Sequence, residues 1–200
     1  MVSPRPSSRV VLYALTLIIG GAAGVIAAFA LVLDSLAVAA DPNAALTCSV
    51  NATVNCATNI ASWQGHVFFG VSNPVWGLGL FVAPIVVGMM LLSGARFRAW
   101  FWALFGIGMT FAAVFVLWLA YQSVFALRTL CPWCALVYVA VIPMWIATLV
   151  AAPASGAFGT LARDRGRALT WAVPILSLVV LVLIFGVAQV RLDVLGTLLR

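Results

Sequence analysis

Charge is what this sequence lacks. Of its 200 residues 7% are charged, lysine and glutamate are absent, and the four acidic residues are all aspartates. With 66% hydrophobic residues and so little to face water, the chain cannot be a soluble domain of this length; it reads as an integral membrane protein. The net charge of +6 comes from arginines alone, and these lie in short stretches between apolar runs. That placement marks topology and excludes a basic face for nucleic acid. Alanine-rich, lysine-free composition suggests a GC-rich bacterial source. Ionisable residues are missing from the apolar runs except near their ends, which argues against a transport pathway. Histidine occurs once, at His66, and cysteine four times.

Five runs are long enough to cross a hydrocarbon core of ~30 Å at ~1.5 Å per residue. They are Val10–Leu33, Val75–Leu92, Trp100–Val124, the run opening at Cys131, and Trp171–Val190. The division expected is a flank over 1–9, a bundle over 10–152 with a loop at 34–73, a connection at 153–170, a fifth helix at 171–190 and a tail at 191–200. The first run exceeds a secretory core segment and reads as a transmembrane helix, not a cleaved leader. Gly20, Gly21 and Gly24 along it permit close helix contact. Asn73-Pro74 predicts a helix start with Asn as N-cap, Pro84 predicts a kink and Pro143 a bend. The loop at 34–73 far exceeds the usual connection of about 4–6 residues. Within it Ile60, Trp63, Val67, Phe68, Phe69 and Val71 are spaced as one helix face, predicting a short amphipathic lid over the bundle mouth.

Five spans place connections alternately on two sides. Arg5, Arg9, Arg96, Arg98, Arg163, Arg165 and Arg167 fall together, leaving Arg128, Arg191 and Arg200 opposite, so the first side reads as cytoplasmic. Cys48, Cys56, Cys131 and Cys134 then all lie on the extracytoplasmic side, where disulfides persist.

Cys131-Pro132-Trp133-Cys134 stands at the start of the fourth span, with proline suited to a first helical turn. Cysteines three apart on a helix share a face, and a helix N-terminus favours thiolate over thiol. The motif is therefore a candidate redox site. Cys48 and Cys56, with seven residues between them, form a second pair in the loop. A loop pair able to reach a soluble partner and a fixed pair at the membrane suit a disulfide relay whose final acceptor is lipid-soluble, as a quinone is. Two static braces remain an alternative. A four-cysteine zinc site prefers short-spaced knuckles, which Cys48 and Cys56 do not form. Haem attachment is excluded because Ala135, not histidine, follows the motif. Pairing Cys48 with Cys56 and Cys131 with Cys134 is one of three connectivities.

Together these residues resemble the vitamin K epoxide reductase (VKOR) family. The resemblance rests on Cys48 and Cys56, on Ser62 six residues beyond and followed by Trp63, on Ser72-Asn73 before the second helix, and on Cys131, Cys134 and Tyr138 opening the fourth. It covers about residues 10 to 150 and implies an all-α integral membrane fold, a four-helix bundle around a quinone pocket, with a fifth helix as in bacterial members. It further implies that Asn73 and Tyr138 donate hydrogen bonds to the quinone carbonyls and that Ser62 holds the loop over the pocket. Without it, Asn73 would be a plain N-cap and Tyr138 an interface aromatic, although Cys131, Cys134 and Tyr138 do fall within roughly 60° of arc on an ideal helix. The implied mechanism is attack by a reduced thioredoxin-fold partner on Cys48, attack by released Cys56 on Cys131, and release of Cys134 beside menaquinone or ubiquinone. Since only ten residues follow the fifth run, a separate DsbA-like partner is expected rather than a fused one. Reduction of a quinone or vitamin K epoxide, or a non-catalytic braced scaffold, are the alternatives. His66 is expected to be a solvated loop residue, and Asp34 to end the first helix and solvate the loop. The Asn51 sequon carries no expected role. Arg128 is expected either to lower the pKa of Cys131 or to reach for headgroups.

Overall fold

The first apolar run continues as helix beyond Leu33. In the computed structural model, which describes residues 7–41, 44, 46 and 48–198, α1 spans Ser8–Ala40, 33 residues. At ~1.5 Å per residue it is about 50 Å long. Asp34, expected at the helix end, lies inside it. The reason is local: residues 35–40 hold a leucine and three alanines and no glycine or proline. The helix stops where Asp41, preceding Pro42, turns extended.

Pro84 has the predicted effect on the second span. Having no N–H for the carbonyl of Leu80, it splits the span into α3 (Asn73–Leu80) and α4 (Val82–Leu92) around Phe81. Between α1 and α3 the loop holds α2 (Ala57–Ala61) and a 3-10 turn, Trp63–His66. The third span is α5 (Ala99–Tyr121), prolonged by a π-helical turn over Gln122–Leu127 that ends at Arg128 in the left-handed region, φ 55°. The fourth span, α6 (Pro132–Ala154), is continuous through Pro143. The second polar connection contains a helix, α7 (Thr160–Leu169), and α8 (Ala172–Leu192) and α9 (Val194–Leu198) follow. Among the described residues five helical segments are long and apolar enough to cross a membrane: α1, α3 with α4, α5 with its π turn, α6 and α8.

α6 is the centre, packed on α1, α5 and α8, while α1 also packs on α3 and α4. Half of the most apolar stretch of α6 is buried against 11% in α8, so the fifth helix presents most of its surface outward. Small residues let α1 and α4 approach: a Cβ on Gly24 would collide with the Phe81 ring, and one on Gly88 would lie 2.7 Å from the Ala14 carbonyl. Two buried or half-buried polar pairs tie α6 to its neighbours. Tyr13 and Thr148 hydroxyls meet at 2.9 Å, and the Trp145 indole donates to Thr110 at 3.1 Å.

Candidate active site

Backbone hydrogen bonds set the register of the loop against the fourth span. Val54 and Leu130 form an isolated parallel bridge, in which Leu130 N–H donates to Thr53 O at 2.8 Å and Asn55 N–H to Leu130 O at 3.2 Å. Three asparagines fold the loop around it. Asn51 Oδ1 accepts from the N–H groups of Thr53 and Val54, Asn55 Oδ1 accepts from Ala57 N–H, and Asn59 Nδ2 donates to Thr129 Oγ1. Cys56 follows Val54 by two residues and Cys131 follows Leu130 by one. The bridge therefore brings their sulfurs together, and Cys56 Sγ lies 2.9 Å from Cys131 Sγ. Cys48 and Cys56 are joined as a disulfide, while Cys131 and Cys134 are free thiols.

Cys48, Cys56 and Cys131 sit with Leu31, Leu46 and Ile60 in a small apolar cluster apart from the main core. Cys56 and Cys131 have no exposed surface and Cys48 has 4%, so the loop disulfide is sealed and not held out on a mobile arm. Cys131 is the N-cap of α6 and Pro132 its first residue. The Cys134 thiol donates to Cys131, and with the backbone N–H groups of Cys134 and Trp133 this holds the Cys131 thiol below its ordinary range. Burial opposes the shift, as the Asp34 carboxyl does when ionised, and Arg128 has no part in it.

Cys134 alone of the four cysteines lines the large cavity of the bundle, about 530 Å³. Its walls are apolar, from Phe81, Phe105, Leu119 and Met144 among others, and its polar groups are few. Tyr138 lies on the same wall, one turn beyond Cys134, and is 2% exposed. The lid closes one end, with Phe68 packed on Phe115 at 5.1 Å between ring centroids and Trp63 on Trp118 at 5.9 Å. Gln64 is buried there with its Oε1 unpartnered. A cavity of this size with an apolar wall and a handful of polar groups fits a flat, lipid-soluble two-carbonyl ring, and the orphaned amide of Gln64 supplies an unused polar contact for it.

A family model described as the vitamin K epoxide reductase family matches residues 15–149. The chain belongs to that family. No curated protein and no solved structure matches it. The VKOR match starts in α1 and ends in α6, so it takes in the four-helix bundle and the whole cysteine loop and leaves α7 and α8 outside. VKOR proteins are membrane oxidoreductases, generally acting with a quinone and thioredoxin-like partners, and the loop disulfide fits that chemistry.

Both cysteine pairs meet at one end of the bundle, and Ser62, Asn73 and Tyr138 all border the cavity. Asn73 does not cap α3: Ser72 is the N-cap, and Asn73 makes no cap bond. Its Nδ2 donates to Gln64 O at 2.7 Å, and its Oδ1 accepts from Val67 N–H at 3.2 Å, so its side chain clasps the lid. Ser62 is bound within the lid, its Oγ donating to Asn59 O at 2.7 Å. The lid is two short helical turns meeting at Ser62 rather than one amphipathic helix, and Phe69, at φ 54°, is left 92% exposed. His66 is half-buried, with Nδ1 3.1 Å from Ser62 O. Asp34 does not solvate the loop: it is buried, with Oδ2 3.1 Å from Cys48 Sγ. Gln64 and Asp34 are polar residues of the site that sequence reasoning missed, as are Asn59 and Gln122 on the cavity wall. A charge or amide within an apolar context is the only signal any of them gives.

Proposed function

We propose that this protein oxidises a DsbA-like thioredoxin-fold partner and passes the electron pair through its own cysteines to a membrane quinone. The observation that carries the reading is the 2.9 Å approach of Cys56 Sγ to Cys131 Sγ, with Cys134 next along and bordering the cavity. A partner thiolate attacks Cys48, the Cys48–Cys56 bond breaks, and Cys56 leaves as a thiolate. Cys56 attacks Cys131 of the oxidised helix pair and releases Cys134. When Cys48 then displaces Cys131 from Cys56, the loop disulfide is restored and both helix thiols are reduced, the arrangement of sulfurs described above. The depressed pKa of Cys131 makes it a good leaving group in that step. A bound quinone supplies a two-electron, two-proton acceptor. Cys134, Tyr138 and Gln64 would hold it, Tyr138 as hydrogen-bond donor and the apolar wall excluding water, with Asn73 clasping the lid over it. The arginine distribution supports the N-terminus inside and the cysteines on the extracytoplasmic face, and the alanine-rich, lysine-free composition a bacterial cytoplasmic membrane.

Purified protein should reduce a short-chain quinone when supplied with a reduced dithiol partner, and Cys134→Ala should abolish this. Undiminished turnover in Cys134→Ala would remove the reading. Epoxide turnover in the same assay would instead favour epoxide reduction, while thiols that stay oxidised under cycling conditions would favour a braced scaffold.

A further inference from the structure

We infer that Asp34 is the proton carrier of the loop disulfide, giving a proton to Cys48 when that sulfur is released as a thiolate and recovering it before Cys48 attacks again. The inference rests on the relay proposed above. Asp34 is 8% exposed within α1, and its Oδ2 lies 3.1 Å from Cys48 Sγ. One carboxylate oxygen and the sulfurs of Cys48 and Cys56 all lie within 4.8 Å of one another. The groups that face it are sulfurs: Cys48 and Cys56 from the loop, joined as a disulfide and titratable once reduced, and the Cys131 thiol from the N-terminus of α6. No cation pairs with it among the described residues, where the ion pair found joins Arg163 to Asp164.

A disulfide sulfur has no proton to donate. A contact between Oδ2 and a bonded sulfur in an apolar cluster is therefore favourable when the oxygen carries the proton, and unfavourable when the carboxylate is ionised and unpaired. Once Cys48 is reduced the roles reverse, because a thiol can donate and a carboxylate accept. The buried Cys48 has little access to water, and an ordinary thiol with a pKa of about 8.5 is only a few per cent thiolate at about pH 7. Among the described residues Asp34 is the one oxygen acid placed to change that.

The steps balance without any further oxidant. The partner's second thiolate, its proton already given to solvent, attacks the partner sulfur of the mixed disulfide. The bond to Cys48 breaks and the electron pair stays on Cys48 Sγ. The proton moves from Asp34 Oδ2 to that sulfur, leaving a Cys48 thiol beside a carboxylate. With Cys56 joined to Cys131, the proton returns to Asp34, and the Cys48 thiolate attacks Cys56. The Cys48–Cys56 bond forms, the Cys56–Cys131 bond breaks, and Cys131 departs as a thiolate. Asp34 finishes protonated, as it began.

Asp34→Asn keeps the shape and removes the exchangeable proton. With reduced DsbA as donor, whose attacking thiol is ionised well below neutral pH, and a short-chain ubiquinone as acceptor, its turnover at about pH 7 should be at least about tenfold below wild type. It should then rise about tenfold per pH unit toward the ordinary thiol range, while wild type stays nearly flat. Rapid alkylation during turnover should trap, in Asp34→Asn but not in Asp34→Glu, a species with Cys48 alkylated and Cys56 crosslinked to Cys131. Wild-type turnover and pH profile in Asp34→Asn, or absence of that species, overturns the assignment. Should Asp34→Asn fail to fold, the redox-difference infrared spectrum of the wild-type protein decides. Loss of a protonated-carboxyl band on reducing the loop supports the carrier, and an unchanged carboxyl region overturns it. A wild-type protein that cannot oxidise the dithiol at all removes the relay and the carrier with it. That result is distinct from a relay that runs equally well without Asp34.

Discussion

Replacing Asn73 by alanine separates two roles for one side chain. Its amide makes two hydrogen bonds to the lid backbone, to Gln64 O at 2.7 Å and from Val67 N–H at 3.2 Å. Each neutral bond contributes about 1 kcal/mol net, so losing both costs about 2 kcal/mol. At 1.4 kcal/mol per factor of ten, that shifts the balance between closed and open lid by about thirtyfold. Hydrogen exchange at the Gly65 and Val67 amides should accelerate by a factor of that order. The quinone KM should rise with it. Exchange between the Cys56 and Cys131 sulfurs, followed without quinone, should keep its wild-type rate, because the Val54–Leu130 bridge that sets it is untouched. Asn73→Asp should fall between, keeping the acceptor for Val67 and losing the donor to Gln64. If Asn73→Ala raised KM while lid exchange stayed as in wild type, Asn73 would act on the quinone directly and the clasp argument would be wrong.

Two further outcomes follow from packing and from charge. Gly88→Val would press a branched side chain onto the Ala14 carbonyl of α1, which as helix backbone cannot move aside, and should cost about 1–3 kcal/mol; an unchanged melting temperature in detergent would show that α1 and α4 are not so close. In Cys134→Ala the Cys131 thiolate loses its main hydrogen-bond donor, so its pKa should rise and its thiolate fraction at neutral pH should drop. A titration of thiolate ultraviolet absorbance, with the loop disulfide intact, that moved to lower pH or stayed put would contradict this.

Much of the architecture is readable because lipid imposes it. Uninterrupted apolar runs can satisfy their backbone only as helices, and Pro84 marks its break by chemistry alone. The meeting of Cys56 and Cys131 is half readable: alternation of spans puts both pairs at one end, but the Val54–Leu130 bridge that brings them into contact joins residues 76 apart in sequence with no distinguishing side chains. Asn73 shows a different limit. Asn before proline is a sound N-cap signal, yet here the Asn73 side chain is taken by the lid, and Ser72 holds the N-cap position without a side-chain cap bond. Asp34 was misplaced because a lone carboxylate at the end of an apolar run ordinarily faces water. Only the folded-back loop supplies the sulfur that gives it company.

The sealing of Cys48 has a consequence for who may donate electrons. A disulfide almost without surface is insulated from small diffusible thiols, which have nothing to grip. A protein that first engages and lifts residues around Cys48 gains entry that glutathione-sized reductants lack. In the proposed relay, burial would thus act as a filter on reductants, keeping the membrane's electron sink from draining thiols at random.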